Sequence, residues 1–140
     1  IGKLQTNKVK FALKIFDYIH SVDSKKLAKK IADEQLKQNK KIKIFLQVNI
    51  GNEDQKSGIN KDELDNLYNY CNKLNLDVVG LMCIPPANEN PEKFFKEANL
   101  LNKKFNLSEL SMGMSSDYLS ALDNHSTYLR IGSSIFGQRD

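Results

Sequence analysis

Two short Gly/Ser-rich runs near the end of the chain have the residue types that hold a phosphate: Ser111-Met112-Gly113-Met114-Ser115 and Arg130-Ile131-Gly132-Ser133-Ser134-Ile135-Phe136-Gly137. Each follows a short apolar run that reads as a strand. In such turns small residues let the backbone approach an anion, the amides point at it, and a helix opening at the turn adds the positive end of its dipole. The pair points to a phosphorylated cofactor or substrate. In the first run, Ser115 and the amide of Met114 stand at the start of a predicted helix; serine also caps helices, and the ligand can share that open end. In the second, Gly132 and Ser133 end a predicted strand, where a plain strand-ending turn is the simpler alternative. Arg130 alternates with Tyr128 and Gly132 on one strand face and opposes Leu129 and Ile131, so it points inward near the open end of its strand. A buried guanidinium needs a partner, either a carboxylate in the wall or a ligand.

The elements that would position these residues alternate in period. Helical spacing runs over residues 6–15, with Val9, Leu13 and Phe16 near one face, and over 24–38, where Leu27, Ala28, Ile31, Ala32 and Leu36 form a stripe opposite lysines. Asp23 or Ser24 is the expected cap of the second helix. Helices are also predicted over 61–74, over 91–105 with Pro91 in the first turn, and over 116–123. Strands are predicted over 18–22, 42–50, 78–84, 107–112 and 128–131, the one over 42–50 being the strongest because it is β-branched and aromatic. Pro85-Pro86 stops the third. Repeated right-handed β/α units give a doubly wound sheet or a closed barrel, and both place function at the C-terminal ends of the strands, where the two turns lie. A nucleotide-binding sheet would show GxGxxG after its first strand, and none follows residues 18–22. Phosphate held by the last two turns is a barrel habit. The fold class expected is therefore α/β, a (β/α)8 TIM-type barrel, incomplete here with about five of eight β/α units, and residues 1–140 read as a single domain. The opening Ile1-Gly2 reads as the end of a strand already in progress, which fits that deficit.

Composition narrows the function. The 140 residues, 40% of them apolar, suit a soluble globular domain. The net charge of +4 comes from 19 Lys and only 2 Arg, dispersed along helix surfaces, without the Arg clusters or interleaved aromatics of a nucleic-acid face. No nucleic-acid or membrane partner is expected, since no apolar run is long enough to span a bilayer. Cys71 and Cys83 lack the spacing of a metal site or the company of a histidine pair; they read as reduced, buried thiols, so the expected location is cytoplasmic and no metal is expected.

Seven runs, in order and at suitable spacing, carry a resemblance: residues 1–8 (Ile-Gly-Lys-Leu-Gln-Thr-Asn-Lys), His20-Ser21-Val22-Asp23, Gln47-Val48-Asn49, Lys56-Ser57-Gly58, Gly80-Leu81-Met82, and the two turns above. Together they resemble the YggS-like pyridoxal phosphate homeostasis proteins, whose single barrel is similar to the N-terminal barrel of alanine racemase. The resemblance implies pyridoxal 5′-phosphate as cofactor and a carrier or buffer role in its homeostasis, without a catalytic residue. It implies a monomer, with PLP-dependent apoenzymes as recipients of the cofactor. It places Gly132 and Ser133 at the phosphate, where the family usually has Thr in the second position, Arg130 at the pyridine nitrogen, and Met82 against the ring, where core filling is an equal alternative. A guanidinium only donates, so it would keep that nitrogen unprotonated and the ring a poor electron sink.

One departure from the family is large. Its aldehyde-binding lysine lies in a first-strand segment like Ala-Val-Ser-Lys, which these residues do not contain, and Lys3, Lys8, Lys43 and Lys56 all read as solvent-facing; covalent attachment is not expected within 1–140. His20 reads as structural for want of a carboxylate nearby, and His125 has no catalytic context. Two alternatives remain open: a racemase-type enzyme, which would need a second domain with a catalytic tyrosine, and a phosphate-binding barrel unrelated to pyridoxal, which the seven runs argue against. Five strands of eight would leave edges at 18–22 and 128–131 and make the chain marginal or prone to aggregate.

Overall fold

A computed structural model describes residues 2–137. The chain alternates strand and helix as its periodicity requires. A 3₁₀ turn, Thr6–Lys8, leads into α1 (Val9–Ile15), followed by β1 (Tyr18–Val22), α2 (Lys25–Gln38), β2 (Lys43–Val48), a 3₁₀ turn at Lys61–Glu63, α3 (Leu64–Lys73), β3 (Asp77–Cys83), α4 (Pro91–Lys104), β4 (Glu109–Met114), α5 (Tyr118–Asp123), β5 (Tyr128–Arg130) and α6 (Ser133–Phe136). Local chemistry sets the ends. Ser24, not Asp23, caps α2, its hydroxyl accepting from the Leu27 amide at 3.2 Å. Asn39 then ends that helix in the left-handed region, with φ of 46°. Asn90 caps α4 in the same way, and Pro91 occupies the first turn, where its missing N–H costs nothing.

The five strands pair in parallel in the order β1-β2-β3-β4-β5. In parallel pairs, registered residues share a face, and two faces of different character result. Ile44, Leu46, Leu81 and Leu110 lie on the outer face, fully buried in one core with Leu27, Ile31, Leu67 and Phe95 from the helices. The buried amide of Asn102 fastens α4 to this layer, accepting from the Leu81 N–H and donating to the Leu107 carbonyl, both at 3.0 Å. The other face carries the row Gln47, Met82, Ser111 and Tyr128. It is strongly concave: the rings of Tyr18 on β1 and Tyr128 on β5, at opposite ends of the strand order, lie 5.6 Å apart. Glycine permits the close approach of β3 and β4, since a Cβ on Gly80 would fall 2.1 Å from the Glu109 carbonyl oxygen.

A curled sheet of five parallel strands with helices on its convex side is part of a (β/α)8 barrel, as the alternation of periods implied. One segment departs from expectation. The strand expected over 107–112 runs on through Gly113 and Met114, which were read as turn, and it bends at Gly113, whose φ is 95° and whose missing side chain leaves room for Ala121.

Candidate functional site

The concave face and the segments bordering β1 and β5 enclose a cavity of about 600 Å³, lined among others by Lys3, His20, Met82, Tyr128 and Arg130. That volume suits a small ligand. Arg130 extends from the end of β5 across the sheet, Nη1 donating to Ser111 Oγ at 2.7 Å and Nη2 donating to the Cys83 carbonyl at 2.9 Å. Its Nε is buried and has no partner. Among the described residues no carboxylate pairs with it, so the wall salt bridge is not formed, and the side chain lines the cavity with three of its five N–H groups unengaged. Burial lowers the affinity of the guanidinium for its proton, but a group of this basicity stays charged.

His20 belongs to the site, contrary to its structural reading. Its ring stacks on Phe45 at 4.1 Å and 21°, meets the edge of Tyr128 at 5.3 Å, and brings Nδ1 to within 2.8 Å of Ser111 Oγ. Burial first, and then the positive charge of Arg130, push its pKa down from 6.5 to about 4, so it is neutral near pH 7. The nearest hydrogen-bonding partner is 91 residues away in sequence, which hid it. Ser111 lies where the predicted strand over 107–112 overlaps the Gly/Ser run, and its alternation with Leu110 and Met112 is the signal that could have placed its hydroxyl inward. Lys3 also lines the cavity while remaining exposed.

The six residues singled out from the sequence divide into three pairs. Met82 and Arg130 line the cavity. Ser115 and Gly132 join the two turns: Ser115 Oγ accepts from the amides of Gly132 and Ser134, both at 3.2 Å. The serine does not cap a helix, because α5 begins after Asp117. Met114 and Ser133 take other parts. The Met114 amide donates to Asp117 Oδ1 at 2.6 Å and is thus already occupied, while Ser133 is exposed and opens α6. Met114 pairs with Arg130 in register, so the hydroxyl-bridged turns begin immediately beyond the guanidinium. The cavity and the cationic side chain adjoin, and the amide bracket starts two residues after Arg130, at Gly132.

The two thiols take no part in this network. Cys71 and Cys83 are buried and free, and burial pushes both thiols up to about 12. Among the described residues no cluster of His, Cys, Asp or Glu could hold a metal ion, and no helix is long and apolar enough to cross a membrane.

Comparison with known proteins agrees along the whole chain. A pyridoxal phosphate homeostasis protein of Aquifex aeolicus is 40% identical over 149 residues, covering 99% of this chain and 65% of the relative. One from Vibrio alginolyticus is 37% identical and covers 100% and 64%. The chain thus spans just under two thirds of the length of these curated relatives. Among solved structures, PipY of Synechococcus elongatus PCC7942 with PLP bound superposes with a TM-score of 0.90 at 32% identity, covering 98% of this chain and 68% of that one. Alanine racemase of Clostridium difficile 630, at 18% identity and a TM-score of 0.73, shares the fold. The family model for the alanine racemase N-terminal domain matches residues 1–140, and the chain belongs to that family.

Proposed function

We propose that residues 1–140 form part of one pyridoxal 5′-phosphate-binding barrel domain, and that the protein binds this cofactor to buffer and carry it in the cell rather than to catalyse a reaction with it. The observation that carries the reading is Arg130, a cationic side chain that lines the cavity beside Met82 and has no carboxylate partner among the described residues. The remaining residues fit the same group. Met82 lies flush in the wall as an apolar contact for a ring, and Ser115, Gly132 and Ser133 surround the turn that would take the phosphate, with the amides of Gly132 and Ser134 now turned onto the Ser115 hydroxyl. Met114 supports that turn through Asp117.

When bound, the cofactor supplies an aldehyde on an electron-withdrawing pyridine ring. Arg130 donates and cannot accept, so it favours an unprotonated ring nitrogen and withholds the proton that would deepen the electron sink. This is a site for holding the aldehyde. The Aquifex and Vibrio relatives are homeostasis proteins by name, and the bound ligand of PipY is PLP. On this reading the protein works in the cytoplasm as a monomer, passes cofactor to PLP-dependent apoenzymes, and binds no nucleic acid. Its lysines support the last point by pairing along helices, as in Lys30–Glu34 at 3.0 Å and Lys29–Asp33, instead of forming a free stripe.

The test is a titration of the protein with pyridoxal 5′-phosphate, pyridoxal and inorganic phosphate in parallel. Pyridoxal 5′-phosphate is expected to bind at least tenfold more tightly than either part. Equal affinity for inorganic phosphate would overturn the reading in favour of a generic phosphate barrel. Borohydride reduction and peptide mapping should find no lysine of residues 1–140 carrying the cofactor; a modified Lys3 would show that the hold is covalent.

A further inference from the structure

The Ser111 hydroxyl is fully buried and has two neighbours, Arg130 Nη1 at 2.7 Å and His20 Nδ1 at 2.8 Å. A guanidinium has no acceptor, so the Ser111 oxygen accepts from Arg130 and its single proton must go elsewhere. His20 Nδ1 is the other atom within reach. Were Nδ1 protonated, two donors would converge on the serine oxygen and its own proton would be stranded in a dry site, at a cost of about 1–3 kcal/mol. The direction of every bond is therefore determined: Arg130 to Ser111, Ser111 to His20.

We infer that Ser111 and His20 are positioning residues that hold Arg130 as a one-way donor toward the cavity, with His20 locked in the tautomer that carries its proton on Nε2. The ring cannot turn to escape this arrangement, being stacked on Phe45 and met edge-on by Tyr128. The guanidinium is equally constrained. Ser111 and the Cys83 carbonyl each take one N–H, of Nη1 and Nη2, so the plane is fixed, and Arg130, which lines the cavity, has only donors to offer a ligand there. A neutral imidazole beside Arg130 also avoids a second buried cation, in keeping with the depressed pKa of His20. The consequence is selectivity: the site favours a ring with a free lone pair at the Arg130 position and disfavours one that presents a proton there. The ligand's identity rests on the function proposed above; the hydrogen-bond direction does not.

Nitrogen NMR on the full chain with labelled histidine reads the tautomer directly. There are two histidines, and His125→Asn assigns the spectrum, since His125 sits at φ of 69°, where asparagine is tolerated. At pH 7 the His20 signals should show a single neutral ring, protonated at Nε2 and accepting at Nδ1. Ser111→Ala should give a mixture of tautomers and weaken pyridoxal 5′-phosphate binding about tenfold, the scale of one hydrogen bond to a charged group, and Ser111→Thr should restore both. If Ser111→Ala does not fold, Arg130→Met serves in its place: with the guanidinium gone Ser111 can donate or accept, and the tautomer should become mixed. A ring protonated at Nδ1, a charged ring at pH 7, or a tautomer indifferent to both variants would overturn the inference. Failure of the wild type to bind pyridoxal 5′-phosphate while showing the expected tautomer would overturn the ligand assignment and leave the network standing.

Discussion

On the outer face of the sheet, Ile44, Leu46, Leu81 and Leu110 are sealed against helices; the inner face presents Phe45, Met82, Ser111 and Arg130, of which Met82 and Arg130 line the cavity. Alternation along each strand thus separates two tasks. Outer residues gain by exclusion of water, and any apolar side chain of the right volume serves. Inner residues are held by direction: stacked rings and hydrogen bonds that run one way, from a guanidinium that can only donate. Damage should therefore appear as lost stability on one face and lost ligand on the other.

The largest test of this division sets Leu46→Ala against Arg130→Met. Leu46 is fully buried in the core, and its truncation should cost about 3 kcal/mol, within the usual range for a cavity of that size. Urea unfolding should show this with ligand affinity for the remaining folded protein unchanged. Arg130→Met should do the reverse, weakening pyridoxal 5′-phosphate about a hundredfold, the equivalent of a charge-assisted hydrogen bond or two, while its unfolding midpoint moves less than that of Leu46→Ala. If Arg130→Met is the less stable of the two, the inner face is structural after all.

Gly80 sits where the faces meet, and its replacement should hurt both. A Cβ there would lie 2.1 Å from the Glu109 carbonyl and 2.9 Å from the Phe45 ring, forcing β3 from β4 and tilting the ring on which His20 stacks. Gly80→Ala is expected to cost about 2 kcal/mol, at the scale of overpacking, and to weaken ligand binding as well. Unchanged affinity would mean that Phe45 adjusts without disturbing His20.

A smaller effect follows from acid. The unfolded chain binds a proton at His20 near pH 6.5 and the folded chain near 4, so between these values the unfolded state holds more protons. Stability contributed by the neutral ring is fully present above pH 6.5, declines as pH falls, and is gone below about 4. Comparing melting temperatures of the wild type and His20→Asn across this window isolates the group, the wild type showing the steeper fall. Parallel curves would indicate that His20 is not held neutral.

The division between faces also explains what could be read from the sequence. Outer residues leave a periodic signal, and the helices over 24–38 and 91–105 and the strands near 43 and 78 were evident from spacing alone. Arg130 was legible because it alternates with Leu129 and Ile131. The partners of Arg130 were not. A serine on β4, a histidine on β1 and the carbonyl of Cys83 on β3 meet only through curvature of the sheet, and no local pattern encodes a hydrogen bond between residues 20 and 111. The run from Ser111 to Ser115 misled in a specific way, because Gly and Ser in a barrel strand signal close packing and an inward hydroxyl as readily as they signal a turn. The family resemblance supplied the ligand, and the geometry supplied the direction of the bonds that would meet it.

Ser115→Ala should have the smallest effect on stability and still discriminate between the two ends of the site. The serine lies on a rim where Gly132 is exposed, so the amides of Gly132 and Ser134 can turn to water when its oxygen is removed, and the cost should stay below about 1 kcal/mol. Its oxygen accepts twice and keeps one proton to donate, which a phosphate oxygen can take. Loss of that donor should weaken pyridoxal 5′-phosphate about tenfold and leave pyridoxal, which lacks the phosphate, unaffected. The opposite sign is physically possible: if the hydroxyl merely occupies the place of the phosphate, its removal frees two amides and affinity rises. A rise would show the bracket in the free protein to be a stand-in for the anion, whereas a fall specific to the phosphorylated ligand makes Ser115 the residue that joins the ring end of the site, at Arg130, to its phosphate end.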